Sequence, residues 1–203
     1  MTPLGKVAEA KAVWLKSVVV YTLAGCLSSA LVGTLLGLAG TRLQTGAWRW
    51  LLVMVAGILA FILAAREYGW IRFQIPERRR QTEKVWAHEF GFVGASALWG
   101  FHIGLGFATR VNYGGFWAIV AVIMALGSSR YGATLMLVYW LGRVLPVWLA
   151  PVLNWSGSDS SHLPGEILAA DWVYHRLSAA ALLWSGGIAL LLATERLAGW
   201  GWK

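Results

Sequence analysis

Five ionisable residues stand inside otherwise apolar stretches: His102, Arg143, Asp171, His175 and Arg176. Ionisable groups held in lipid are costly and are retained when they are paired or functional. Asp171 and His175 are four residues apart, which puts them on one face of a helix. Arg143 and Asp171 are complementary charges that can pair across helices, since an unpaired guanidinium at depth costs several kcal/mol. Two chemistries follow. The groups either clamp helices together as salt bridges, or they line a polar pathway for an ion, a proton or a small anion. The candidate cluster is His102, Arg143, Asp171 and His175, sharing one polar region between the third, fifth and sixth helices. Gly104 and Gly142 would let the third and fifth helices approach there, and Pro146 would free a carbonyl one turn earlier.

Other site chemistries find little support. Haem in a helical protein needs an axial ligand, commonly His, and a second ligand for electron transfer. Of His88, His102, His162 and His175, only His102 and His175 could face each other at depth, and no His pair recurs along one helix. No cofactor is expected, with haem the remaining alternative. No metal is expected either, since no element carries a two-ligand zinc motif. The serines at 128–129 and 156–161 read as turns, and no G-x-S-x-G occurs. No catalytic residue set emerges, so the reading leans away from an enzyme. Cys26 is the single cysteine. One thiol makes neither an intrachain disulfide nor a Cys-x-x-Cys site, so its expected role is that of a small buried hydrophobe.

The elements that must carry these residues are membrane helices. The chain has 203 residues, of which 58% are hydrophobic and 13% charged; soluble domains carry about 25% charged residues. A soluble fold of this length could not hide so much apolar surface. The pattern predicts an all-α, polytopic membrane bundle of about six helices, forming one transmembrane domain. The expected spans are 12–40, 48–65, 87–108, 115–126, 131–153 and 166–197. Glycines at 25, 33, 37 and 40 recur about one turn apart along the first helix, a close-packing face. The 14 tryptophans cluster near proposed helix ends, as the membrane interface favours. No cleavable signal peptide is expected, because no small-residue cleavage site follows a short apolar core. The net charge of +8 does not indicate nucleic acid, because the basic residues lie between apolar runs rather than on one soluble face. With six crossings and a cytoplasmic N-terminus, Lys and Arg divide twelve inside to three outside, the expected bias. Both termini are then cytoplasmic. A re-entrant fourth helix gives nine to six.

A weak internal repeat favours that alternative. Tyr21-Thr22-Leu23-Ala24-Gly25 is echoed by Tyr139-Trp140-Leu141-Gly142-Arg143. In inverted-repeat proteins the two copies cross in opposite directions. A broken or re-entrant fourth helix would allow this, whereas six full crossings would not.

The stretch from Gly91 to Pro146 resembles the second half of the DsbD/CcdA transmembrane family of cytochrome c biogenesis and disulfide exchange. The matching residues are Phe90-Gly91 through Trp99-Gly100-Phe101-His102-Ile103-Gly104-Leu105, and Arg130-Tyr131-Gly132-Ala133 through Tyr139-Trp140-Leu141-Gly142-Arg143-Val144-Leu145-Pro146. The resemblance implies a scaffold that moves reducing equivalents. The departures imply that this chain does not relay thiols alone: His102 stands where the family has cysteine, and Phe101 and Leu105 stand where it has prolines. Disulfide exchange needs two thiols. The expected function is therefore small-solute transport or an accessory role in redox or cytochrome maturation. A structural or assembly subunit of a membrane complex is the alternative, and a haem- or quinone-linked subunit a third. The expected partners are the lipid bilayer and other membrane subunits or redox proteins.

Overall fold

The computed structural model describes residues 11–44, 48–74, 85–107, 114–154 and 171–200. Among these residues the chain is all-helical: α1 Lys11–Leu43, α2 Trp48–Glu67, α3 Trp86–Gly104, α4 Gly115–Leu126, α5 Ser129–Asn154 and α6 Asp171–Trp200. The expected helices are all found, with shifted ends. The third stops at Gly104 rather than at 108, because the chain turns through Gly106 at φ 78°. The expected start of the sixth, at 166, lies outside the described residues.

Among the described residues, four helical segments are long and apolar enough to cross a membrane: Ala12–Leu43, Trp48–Glu67, Ser129–Leu149 and Trp172–Leu197. The expected all-α architecture of about six helices is found, and four of the six are candidate spans by length and composition. α4, with 12 residues, reaches only about 18 Å, against about 30 Å of hydrocarbon.

Burial along α1 is inverted relative to a soluble helix. Ser17, Gly25, Ser28, Ser29, Gly33, Gly37 and Gly40 are buried, while Leu23, Leu27, Leu31, Leu35 and Leu38 are exposed by 49–64%. Water would penalise such a leucine stripe. Two threonine hydroxyls on this helix donate to its own backbone: Thr22 Oγ1 to Val18 O at 2.7 Å and Thr34 Oγ1 to Ala30 O at 2.8 Å.

The chain divides into two compact units, which share α1 and α5. The first holds α1 up to Ser29, α3, and α5 from Leu137. Here α3 runs parallel to α1. A Cβ at Gly100 would collide with Tyr21 O, and one at Gly104 with Gly25 and Ser28. This Gly100-x3-Gly104 pair lets backbones meet, and Ser29 Oγ donates to Gly104 O at 2.7 Å. On α5, Trp140 packs over Gly25, and its Nε1 donates to Thr22 O at 3.0 Å. Gly104 therefore serves packing against α1. Gly142 faces open space, which corrects its expected part in a close helix contact.

The second unit holds the rest of α1, α2, α4, the start of α5, and α6. Gly33 lies against Gly132, and Gly37 against Ser128, so α5 runs antiparallel to α1. This is the direction the internal repeat requires. α4 reaches from the end of α2, where Gly114 meets Leu63 and Glu67, to the end of α1, where Gly40 meets Met124. Gln44 Nε2 donates to Ala125 O there. α6 runs antiparallel to α2: Gly57 meets Gly186 and Leu190, His175 meets Glu67, and the Arg196 guanidinium lies over the Trp50 ring at 5.7 Å.

Six full crossings, with both termini on one side, would run α1 and α5 the same way, and the antiparallel contact of these two helices does not follow that expectation. The charge count favoured that expectation through only three residues, Arg130, Arg196 and Lys203. Backbone contact along α1 and α5 is the stronger constraint, since it leaves room for one direction only.

Gly33→Val should destabilise the protein by about 1–3 kcal/mol, because its side chain would have to displace the Gly132 backbone. Leu27→Ala, on the exposed stripe, should stay within about 0.5 kcal/mol of wild type. Unfolding by SDS titration in mixed micelles measures both.

Candidate functional site

The site grows out of the way α2 ends. Its buried residues are Ala56, Gly57, Ala60, Leu63, Ala64 and Glu67, a helical period that carries the inner face onto a carboxylate. Ala60, Leu63 and Ala64 form an apolar cluster with Ala118 of α4 and Leu182 of α6, and Glu67 follows it one turn later. The helix then stops in a two-bond turn. Gly69 N donates to Arg66 O at 2.8 Å and Trp70 N to Ala65 O at 2.9 Å. This closure needs a left-handed residue, and Gly69 supplies it at φ 81°. Trp70 is thereby folded back to stack on Tyr68, with ring centroids 5.1 Å apart.

The Glu67 side chain is fully buried. Oε1 accepts from Arg66 Nη1 at 2.9 Å and from the Gly114 backbone N–H at 2.8 Å. Oε2 meets His175 Nδ1. A carboxylate at the end of its own helix faces the negative end of the dipole. Here it is offset by a cation, an imidazole and the N-terminus of α4. Gly114 caps α4 without a side chain, so Glu67 does the capping from another helix. One carboxylate thus ties α2, α4 and α6 together.

Beside it opens a recess of about 1100 Å³. Arg66, Arg72 and Arg176 line it with Tyr68, Trp70, Phe73 and Trp172. Arg66 is committed: its Nε donates to Phe73 O at 3.1 Å, and its guanidinium lies 5.9 Å from the Phe73 ring centroid. The Arg176 guanidinium lies over Trp172 at 5.1 Å.

The residues expected from sequence divide between the units. His102 and Arg143 lie in the first. His102 sits in the last turn of α3, with Trp86 edge-on at 5.9 Å, and its buried Nδ1 has no hydrogen-bond partner among the described residues. Arg143 shares a side-chain hydrogen bond with Tyr139 and lies near Tyr21. His175 belongs to the second unit and meets Glu67. Asp171 begins α6, and its side chain lies outside the described residues, as does His162. Sequence reading missed Glu67 because the expected second helix ends at 65, two residues before it. The signal was present: it continues the inner-face spacing of α2.

Comparison with known proteins adds a setting. The chain is similar to the methylamine utilization protein MauF of Paracoccus versutus, 28% identical over 149 residues, which are 72% of this chain and 54% of that protein. It is also similar to MauF of Methylorubrum extorquens, 28% identical over 169 residues, 79% of this chain and 55% of that protein. The chain thus spans about half the length of the curated relatives it matches. No family model and no solved structure matches it.

Glu67→Ala should cost about 2–4 kcal/mol, because it strands three donors around a buried space. A double-mutant cycle of Glu67→Ala with His175→Ala should return a coupling of about 0.5–3 kcal/mol. Chemical unfolding of the four proteins measures it, and additive costs would contradict a clamp.

Proposed function

We propose that this chain is a multi-pass membrane protein with an accessory role in redox-protein maturation, acting in methylamine utilization. The observation that carries the reading is the similarity to MauF over most of this chain, taken with the inverted burial of α1. An exposed leucine stripe with a glycine and serine interior suits lipid as the outer solvent, where packing of small residues replaces the hydrophobic effect. The resemblance of 91–146 to the DsbD/CcdA family supports a link to redox maturation. The lone, half-buried Cys26 argues that the chain assists rather than carries thiol exchange, which needs a pair.

Deletion of the gene in the source organism should abolish growth on methylamine and spare growth on ammonium. Re-expression of wild type or of Cys26→Ser should restore it equally. Growth on methylamine without the gene would contradict the setting. Failure of Cys26→Ser at normal protein level would contradict a thiol-independent role and point to an intermolecular mixed disulfide.

A further inference from the structure

We propose that the recess at the end of α2 binds a phosphate-bearing anion, and that its occupant is the headgroup of an acidic phospholipid. The argument begins with charge. Among the described residues that line the recess, the carboxylate is Glu67, and it is fully buried and saturated by Arg66, the Gly114 N–H and His175. Arg66 is spent on that carboxylate and on Phe73 O. Arg72 and Arg176 remain: both are exposed, and neither forms an ion pair among the described residues. Among the described residues, the open surface of the recess is therefore cationic. Guanidinium groups present N–H edges that match phosphate oxygens, and stacking on Trp172 holds the Arg176 plane in place.

Position selects the lipid. The recess lies where α2 leaves its 20-residue apolar run, and Tyr68, Trp70 and Trp172 are the aromatic types that favour the headgroup level. Basic pockets at helix ends hold acidic headgroups by this combination. The volume of about 1100 Å³ exceeds what a bare phosphate fills and leaves room for a glycerol backbone. The lipid assignment rests on the membrane reading above. That reading is checked separately, by whether the chain stays in membranes washed with alkaline carbonate.

The test uses the full chain in nanodiscs of phosphatidylcholine, alone or mixed with phosphatidylglycerol, with native mass spectrometry and Tm as readouts. Wild type should retain phosphatidylglycerol and show a higher Tm in the mixed discs. Arg72→Gln with Arg176→Gln should lose that preference, by about five-fold for each guanidinium removed. A control pair, Arg42→Gln with Arg130→Gln, lies away from the recess and should keep it. Arg72→Gln alone alters only an exposed turn, so it reads the same effect should the double variant fold poorly. Equal losses in both pairs would mean diffuse surface charge and overturn the site. No loss in either would overturn it as well. If inorganic phosphate raises Tm without phosphatidylglycerol, and the recess variants abolish that rise, the occupant is free phosphate and the lipid assignment fails.

Discussion

Backbone contact along one stripe of α1 is the constraint on which the other helices depend. Gly25, Gly33 and Gly37 carry no side chain, so Trp140 and Gly132 of α5, and Ser128 just before it, sit directly on the helix backbone. Gly100 and Gly104 of α3 do the same from their own side. Such contacts gain dispersion energy only at close range, and a single added methyl group forfeits them. They also fix direction. A glycine ladder in one register holds α5 antiparallel to α1, and everything downstream of α4 inherits that choice.

A second constraint is electrostatic and local. The end of α2 brings a carboxylate to the inner face, where an uncompensated charge would cost several kcal/mol. Glu67 is stabilised by drawing three elements onto itself: Arg66 from its own helix, the first N–H of α4, and His175 of α6. α4 is too short to hold its place by length and carries no side-chain cap of its own. The carboxylate that ends α2 begins α4. The same arrangement absorbs Arg66 and leaves Arg72 and Arg176 facing the recess, so the structural clamp and the positive surface share one cause.

Much of this was legible in the sequence. The apolar runs gave the helices, and α4 matches its expected bounds because Gly115 and Gly127 bracket it. The glycine spacing of α1 named the packing face. Direction was harder. The Lys and Arg count and the internal repeat pointed opposite ways, and three charges near helix ends outweighed five residues of similarity. The structure sides with the repeat. Gly142 shows that glycine alone does not mark a contact, because the helix must also turn that face inward. Glu67 shows the reverse: an acid two residues past the expected end of the second helix is buried, because the period of α2 carries one turn further than its apolar residues do.

The most direct test of this account labels single cysteines from either side of the membrane, in a Cys26→Ser background, at Arg72, Arg130 and Arg196. Antiparallel pairing of α1 with α5, and of α2 with α6, places Arg130 and Arg196 together on the side opposite Arg72. Labelling of all three from one side would mean six crossings and would contradict the glycine-directed topology.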